Sequence, residues 1–440
     1  MKESSAQASV SPKKPPPAKS RRIAWGELGP RFVPALAVIT AILFGGLFMI
    51  FSGTDWGAAR AALKADGVGG FLRELGPGIA KAGISYEALL EGATGLGYID
   101  PSTVQEQTKV FKIMRLGNEG RWIVFIPRNL IATIVRSTPF LLAGLAVAVG
   151  FKAGLFNIGA EGQLYAGSLL SVWVGFHPAL AAVPALLHIP LAIALGILGG
   201  AIWGAIPGFL KAKTGAHEVI NTIMMNHIAI RLADWLIKSR DPVILLDATA
   251  SVPRTPYIAQ TAEYPTLGDS PLHFGILIAL AAAFVVWWFL YRTTLGFELR
   301  TVGANPSAAK YAGMSITRNI VLAMAISGGL AGLAGTGEVL GVQHNLPPGF
   351  FAGVGFDSIA IALLAKTNPI AMIPAAFLWG GLLNGAGLMQ IRADISIDLV
   401  KIIQALIVMF VAADQIVRAI WRIRARRQEE EVIFSRGWGR

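Results

Sequence analysis

Long apolar runs recur along the chain, separated by shorter polar stretches. A membrane-crossing helix needs about 20 apolar residues, or fewer where a segment enters and leaves the membrane on one side. Ten runs approach that length: residues 33–51, 130–150, 155–174, 185–209, 217–237, 272–291, 319–341, 355–366, 368–389 and 396–417. This pattern predicts an all-α polytopic membrane protein with about ten transmembrane helices.

The positions of Lys and Arg predict the orientation of these helices, because cytoplasmic loops carry an excess of basic residues. With the N-terminus inside, the short loops near residues 175–184 and 342–354 are external and contain no Lys or Arg. The loops expected in the cytoplasm contain Lys152, Lys211, Lys213, Arg292, Arg300, Lys310, Arg318 and Lys366. We therefore expect both termini in the cytoplasm.

The same reading divides the chain into five parts. We expect residues 1–31 to form a disordered basic cytoplasmic tail and residues 32–51 to form the first transmembrane helix. Residues 52–129 are expected to form an extracytoplasmic insertion. Residues 130–420 form the membrane core, and residues 421–440 a second basic tail. The proline-rich residues 238–271 predict an irregular external loop.

Glycine recurs every fourth residue in the fourth predicted span, at Gly196, Gly200, Gly204 and Gly208. Such a stripe lets a neighbouring helix pack against bare backbone. The same spacing occurs at Gly328 and Gly332, Gly337 and Gly341, and Gly381 and Gly385. We interpret these stripes as packing faces of a helix bundle.

Composition supports a membrane protein and narrows its chemistry. Hydrophobic residues make up 54% of the chain and charged residues only 15%, and there is no cysteine, which excludes disulfides and thiol chemistry. Most of the net charge of +12 lies in the two tails, where it fits the positive-inside rule better than a nucleic-acid surface. We expect contact with lipid and none with nucleic acid.

Motifs of common catalytic sites are incomplete. Ala212 replaces the glycine that a phosphate-binding loop needs before Lys213, and Asn221 replaces the second histidine of a zinc site begun by His217 and Glu218. The SxxK spacing of Ser307 and Lys310 lacks its companion motifs. We expect no catalytic residues, no metal site and no cofactor.

Three stretches resemble the permease subunits of ABC importers for nucleosides and simple sugars, a family that includes the ribose and galactose permeases. They are residues 154–163 (GLFNIGAEGQ), residues 215–226 with the core EVINTIMMN, and residues 295–357 with LRTVGANP, GEVLG and a final GFD. The resemblance covers roughly residues 130–420. Residues 86–92 (YEALLEG) resemble a loop of the family, but extra residues flank it on both sides.

The resemblance implies a non-catalytic transport subunit in the bacterial cytoplasmic (inner) membrane. Its implied partners are an ABC ATPase subunit, a second permease chain that makes a heterodimer, and an extracytoplasmic solute-binding lipoprotein or periplasmic protein. The implied solute is a neutral, ring-containing molecule, with a nucleoside favoured over a sugar.

Polar residues at membrane depth are candidates for the solute pathway, because they are costly there unless they pair or face water. Asn157, Glu161 and Gln163 stand among glycines that permit a broken helix, and Asn221 and Asn226 follow in the next span. The alternative is polar contact between helices, or, for the acidic residues, helix capping and hydration at the membrane surface. The predicted pathway residues are Phe156, Asn157, Glu161, Gln163, Asn221, Asn226, Glu338 and Asp357.

Residues 296–314 resemble the family's ATPase-docking loop. Their many small residues suit a helix resting in a cleft of a soluble partner, and Asn305 and Pro306 suit the start of that helix. An ordinary solvated loop is the alternative. The predicted coupling residues are Glu298, Arg300, Gly303, Asn305, Pro306 and Gly313.

A self-sufficient secondary transporter, coupled to protons or sodium, is the rival function. Such carriers usually contain internal repeats and carboxylates at mid-membrane. This chain has no clear repeat, and most of its acidic residues lie near span ends. An intramembrane enzyme would need a catalytic set that the sequence does not contain.

Overall fold

The computed structural model describes residues 25–100, 109–115, 122–268, 270–351 and 353–421. Most of both predicted basic tails, residues 1–24 and 422–440, lies outside this part. Within it the chain is mostly helical. The helices are α1 (Trp25–Gly53), α2 (Trp56–Thr94), α3 (Pro127–Lys152), α4 (Ala160–Phe176), α5 (Ala185–Thr214), α6 (Glu218–Lys238), α7 (Gly275–Arg292), α8 (Thr294–Ala304), α9 (Pro306–Tyr311), α10 (Ile316–Glu338), α11 (Val354–Leu364), α12 (Met372–Ala393), α13 (Asp398–Ala412) and α14 (Asp414–Ile420).

Six of the described helices are long and apolar enough to cross a membrane: α1, α3, α5, α7, α10 and α12. A seventh span results if α13 and α14, which meet at a bend of 92°, are counted together. The predicted number of about ten also included the segments that form α4, α6 and α11. Two of these helices are short, and α6 is long but too polar.

Between α1 and α3 the described part of the chain is only partly helical, so the prediction of an all-α protein was wrong for this segment. After α2, three short strands form an antiparallel sheet in the order β1-β3-β2. Their bounds are β1 (Leu96–Ile99), β2 (Phe111–Arg115) and β3 (Trp122–Phe125). Strand β2 is exposed along its whole length, and its apolar–polar alternation covers only residues 111–113, which is too short to predict a strand from sequence.

Helix α2 is fixed to the end of α12 by close packing and by an ion pair. A Cβ on Gly92 would lie 3.2 Å from the backbone N of Gly385, so the two helices meet backbone to backbone. The buried carboxylate of Glu91 accepts two hydrogen bonds from Arg392, at 2.6 and 2.8 Å. Helix α2 is therefore firmly attached to the bundle.

The glycine stripe of α5 packs against glycines of α10, which confirms its prediction as a packing face. A Cβ on Gly332 would lie 3.0 Å from the Cα of Gly200, and a Cβ on Gly204 would lie 3.0 Å from the Cα of Gly328. Gly337 is different, because nothing lies within 4 Å of the position of its Cβ. The predicted packing role is wrong for Gly337.

Helix α4 lies at the centre of the bundle. Helices α3, α5, α6, α10 and α11 all pack on it. Most of its residues are buried, including the acidic Glu161 and the polar Gln163. Contacts to α4 therefore determine how the surrounding helices are held together.

Candidate functional site

A break in the helical backbone precedes α4 and places its start inside the bundle. Residues 153–159 have no α-helical structure, and Gly154 has a φ of +73° that favours glycine. Helix α4 has 17 residues, about 25 Å of helix, against a hydrocarbon thickness of about 30 Å. The side chain of Asn157, just before α4, reaches Ser327, half way along α10.

Helix α11 is a second short helix, and it begins against the start of α4. It has 11 residues, about 16 Å of helix, and its N-cap residue is Gly353. A Cβ on Gly355 would lie 2.6 Å from the Cα of Glu161. The first turns of the two helices are therefore in direct contact.

Glu161 supplies the N-terminal cap that α11 lacks. Its carboxylate accepts the backbone N–H of Gly353 at 2.9 Å and that of Gly355 at 2.5 Å. The N-cap residue of α11 makes no side-chain hydrogen bond of its own. Free N–H groups and a partial positive charge are found at every helix N-terminus, and a carboxylate satisfies both.

Tyr165, one turn after Glu161, holds the loop that leads into α11. Its hydroxyl accepts the N–H of Phe351 at 3.3 Å, and the two rings pack edge to face with centroids 5.2 Å apart. Two side chains of α4 therefore fix both the loop and the helix that follows it.

Asn226 of α6 caps the start of α4 in the same way. Its side-chain oxygen accepts the N–H of Gly162 at 2.8 Å, and its amide donates to the carbonyl of Ile158 at 2.9 Å. Thus α6 caps α4, and α4 caps α11. We call this arrangement, formed by Asn226, Gly162, Glu161, Gly353 and Gly355, the cap relay.

Asn157 and Gln163 form a buried amide pair. Asn157 donates to the Gln163 carbonyl at 2.9 Å and to the Ser327 hydroxyl at 2.8 Å, and Gln163 donates back at 3.2 Å. Ser327 in turn donates to the carbonyl of Ala146. Both amides are fully buried, so in this conformation they join α3, α4 and α10. A pathway role for the two residues stays a prediction.

Other predicted pathway residues lie apart from this pair. Phe156 is half-buried and packs on Phe151, with ring centroids 4.9 Å apart. The side-chain amide nitrogen of Asn221 is buried and has no hydrogen-bond partner within the described residues. Asp357, in the first turn of α11, accepts a hydrogen bond from Trp379 at 3.2 Å.

Glu338 lies at the end of α10, within electrostatic range of Arg136 on α3. Arg136 is exposed although it belongs to one of the apolar spans, and it reaches the carbonyl of Leu383 at 3.5 Å. The space beside neighbouring Gly337 is open. Sequence reasoning missed Arg136, although a lone arginine inside an apolar run is itself a signal of function.

The predicted coupling segment forms two helices, α8 and α9, between α7 and α10. Asn305 caps α9 by accepting the N–H of Ala308 at 3.1 Å, and Pro306 is its first residue, as the sequence predicted. Tyr311 is 96% exposed. Gly313 follows α9 with a φ of +79°.

Three predicted coupling residues make contacts inside the chain. A Cβ on Gly303 would lie 2.7 Å from the backbone N of Gly154, so α8 rests on the break before α4. Glu298 accepts a hydrogen bond from Asn319, and Arg300 donates to the carbonyl of Leu290. The exposed surface of the segment therefore lies on α9 and the residues beside it, together with Phe297 of α8, which is 54% exposed.

No group of residues within the described ranges has the composition and spacing to hold a metal ion. The site consists of helix ends, amides and a few carboxylates at the centre of the bundle. Such groups can bind or guide a polar solute, and none is arranged as a nucleophile with a general base.

The sequence is similar to a family of transport permeases. A family model described as the permease component of branched-chain amino acid transport systems matches residues 129–412. The chain is 44% identical over 296 residues to the guanosine ABC transporter permease protein NupP of Bacillus subtilis, which covers 66% of this chain and 82% of that protein.

Two further relatives show the same pattern. Identity is 36% over 301 residues to the nucleoside ABC transporter permease protein NupB of Lactococcus lactis, covering 67% of this chain and 81% of that protein. It is 35% over 298 residues to the glucose ABC transporter permease protein TsgB13 of Haloferax volcanii, covering 65% and 77% respectively. No solved structure matches the chain.

Proposed function

Because the chain belongs to the family described as the permease component of branched-chain amino acid transport systems, we propose that it forms the solute pathway of an ABC importer for nucleosides. It is a multi-pass protein of the bacterial cytoplasmic membrane and a transport subunit without catalytic chemistry of its own. Nucleosides or related simple sugars are its class of solute.

The observation that carries the choice of nucleosides is similarity to relatives named for them. The guanosine permease is 44% identical and the nucleoside permease 36% identical, each over about two thirds of this chain. A glucose permease follows at 35%, so a sugar is the second candidate.

The cap relay supports a neutral solute. Helix N-termini that end inside a transporter commonly bind anionic groups of a substrate. Here the start of α11 is capped by the carboxylate of Glu161, and the start of α4 by Asn226. An anion would have to displace a carboxylate that is already hydrogen-bonded, whereas hydroxyl groups and base edges need no such exchange.

In this proposal, other chains supply the energy of ATP hydrolysis and deliver the solute. An ABC ATPase docks on the cytoplasmic side at α8 and α9, where Tyr311 is exposed. A solute-binding protein delivers the solute on the opposite side, and a second, different permease completes the pathway. Both termini are then cytoplasmic, residues 130–420 form the permease core, and residues 52–129 form the extracytoplasmic insertion.

Uptake measurements in a strain that lacks this chain test the proposal. Restoring the wild-type gene should restore uptake of labelled guanosine, and excess unlabelled nucleosides should compete while excess glucose should not. A strain that carries the gene without its ATPase should remain inactive. Competition by glucose alone would move the assignment to sugars.

Purified chain in lipid vesicles tests the rival function. We expect no nucleoside uptake from the chain alone under an imposed proton or sodium gradient. Gradient-driven uptake in these vesicles would establish an ion-coupled carrier and reject the ABC assignment.

A further inference from the structure

Helix α6 has one buried face and one exposed face of unusual composition. The buried face packs on α4 through a regular stripe: Thr222, Asn226, Ala229, Ala233 and Ile237. The exposed face combines apolar residues with two ionisable side chains near the middle of the helix. Its members are Ile220, Met224, His227, Ile228, Arg231 and Trp235.

The exposed faces of two neighbouring helices differ from that of α6. Within the middle of α5, the exposed side chains are apolar, with Leu198 and Ile202 at 47% and 54% exposure. The middle of α7 exposes apolar side chains such as Phe284, at 58%. Both faces suit lipid, so they serve as internal references for α6.

Lipid is a poor environment for the exposed face of α6. The helix has 21 residues, about 31 Å, so it is long enough to cross a bilayer, and His227 lies near its middle. An arginine at the centre of a membrane helix costs about 2.5 to 3.5 kcal/mol on insertion scales, and more in simulations. Arg231 makes no ion pair within the described part of the chain.

Two buried polar atoms of α6 also have no hydrogen-bond partner among the residues that the structure describes. They are the side-chain nitrogen of Asn221 and the Oδ1 atom of Asp234, whose other oxygen pairs with Lys238. Buried polar groups in folded proteins are hydrogen-bonded in about nine cases of ten. The helix therefore has two buried polar atoms without a described partner, in addition to the exposed side chains of His227 and Arg231.

Beside this surface, α4 separates α6 from α11. Glu161 and Gly162 are adjacent in α4, yet Glu161 contacts α11 and Gly162 contacts α6. Helices α6 and α11 make at most marginal contact with each other. On the α11 side, Phe356 is 47% exposed at the first turn, so an aromatic ring lies in this region of the surface.

We propose that the exposed face of α6 is the surface covered by the second permease subunit, which supplies acceptors for Arg231 and His227. The solute then passes along α4, between α6 and α11. This inference rests on the proposed function, because it needs a complex with a second permease. Charge complementarity selects the occupant, since lipid tails offer no acceptor and a helix with carboxylate or amide side chains does.

Photo-crosslinking in membranes that contain the whole importer tests the assignment. Three variants replace one exposed apolar residue each by p-benzoylphenylalanine (Bpa): Ile228→Bpa on α6, Ile202→Bpa on α5 and Phe284→Bpa on α7. Their wild-type side chains are 53%, 54% and 58% exposed. We expect Ile228→Bpa to give a product of this chain with the second permease, identified by peptide mass spectrometry, and the other two to give none.

The outcomes separate failure of the inference from failure of the proposed function. If the variants support nucleoside uptake but Ile228→Bpa crosslinks only to lipid or to a second copy of this chain, the inference is overturned and the function stands. If no variant and no wild-type complex shows nucleoside uptake, the function itself fails.

Two further variants test the charge of Arg231. Arg231→Leu should lower recovery of the second permease in affinity purification by about ten-fold, whereas Arg231→Lys should lower it much less, because it keeps a donor and the charge. Cell-surface amounts of both variants serve as the control for folding. Equal recovery with Arg231→Leu and with wild type would contradict a role for this charge in the interface.

Discussion

The carboxylate of Glu161, in the first turn of α4, accepts the backbone N–H of Gly355, in the first turn of α11, at 2.5 Å. One side chain thus lies at the N-termini of two helices. Each N-terminus carries a partial positive charge, and a carboxylate between them stabilises both. The contact is possible only because residue 355 has no side chain.

We therefore expect Gly355→Ala to disrupt the site. Its Cβ would lie 2.6 Å from the Cα of Glu161, which is closer than real Cβ contacts permit. Fluorescence-detected size-exclusion chromatography after heating should show lower thermal stability, and nucleoside uptake should be lost. Gly387→Ala is the matched control, because nothing lies within 4 Å of its Cβ position. Equal behaviour of the two variants would contradict the tight junction.

Substitution of Glu161 itself should show graded effects. Glu161→Leu leaves the N–H groups of Gly353 and Gly355 without acceptors, at about 1 to 3 kcal/mol for each buried group. Glu161→Gln keeps one oxygen acceptor and should lose less stability. The measurement is the thermal midpoint in detergent, with uptake measured alongside. A Gln variant less stable than the Leu variant would reject the capping role.

The buried amide pair offers a test of packing against pathway. We expect Asn157→Ala and Gln163→Ala each to lower thermal stability, and the double variant to cost about 1 kcal/mol less than the sum, because each single change orphans the other amide. Unchanged stability with lost uptake would instead indicate direct contact with solute.

The ion pair that fixes α2 should be important for stability. Arg392→Ala leaves the buried carboxylate of Glu91 without its two donors, and because the Arg392 side chain is itself partly exposed we expect a cost of about 1 to 3 kcal/mol. Arg73→Ala is the control, since its ion pair with Asp66 is exposed at both side chains. A loss of thermal stability of the same size in both variants would rule out a special role for Arg392.

Coupling to the ATPase should depend on the free surface of α9. Tyr311→Ala should abolish solute-stimulated ATP hydrolysis in the reconstituted complex while the protein still inserts. Tyr257→Ala is the control, because that side chain is also exposed, at 55%. Tyr257 lies before α7 and Tyr311 lies after it, so the two side chains belong to segments at opposite ends of this helix. Gly303→Trp is less informative, since a side chain there meets the backbone of the turn at residues 152–154. Normal stimulation in the Tyr311 variant would move the docking surface elsewhere.

The loop before α7 should lose stability at acidic pH. His273 is 2% exposed, and its Nδ1 accepts the N–H of Gly275. Burial, with a smaller effect of nearby His344, lowers the pKa of His273 to about 4. In the unfolded chain the pKa is about 6.5. The folded form therefore binds fewer protons, and stability present above pH 6.5 is lost as the pH falls toward 4.

His273→Asn tests this dependence, because an Asn side chain can still accept an N–H two residues on. Between pH 7.5 and 4.5 the thermal midpoint of the variant should fall less than that of wild type. His177→Asn is the matched control, since His177 makes the same contact to Ala179 at an exposed position. Parallel curves for all three proteins would exclude His273 as the titrating group.

Local features of this fold were predictable from sequence, and contacts between distant segments were not. The glycines around Asn157 predicted a broken helix, and the stripe from Gly196 to Gly208 predicted close packing. In contrast, Glu161 and Gly355 are remote in sequence, so no local pattern indicates that they meet. The sheet was missed because its strands have only four or five residues each, and the alternation in β2 is limited to residues 111–113.

The predicted number of transmembrane helices is a second point on which sequence pattern and structure differ. A run of apolar residues indicates burial in an apolar environment, and the centre of a helix bundle provides this as well as lipid does. Segment 355–366 was therefore counted as a span, whereas α11 is a short helix that starts inside the bundle. Segment 217–237 became α6, which is long enough but carries His227 and Arg231.

The contact between Gly303 and Gly154 has a mechanical meaning for the proposed importer. Backbone touches backbone there, so no flexible side chain lies between α8 and the start of the break before α4. From Gly154 the chain runs through Asn157 directly into Glu161. A push on α8 by a bound ATPase would thus reach the cap of α11 through the short piece of main chain at residues 154–161, in which Asn157 is held by hydrogen bonds to Gln163 and Ser327.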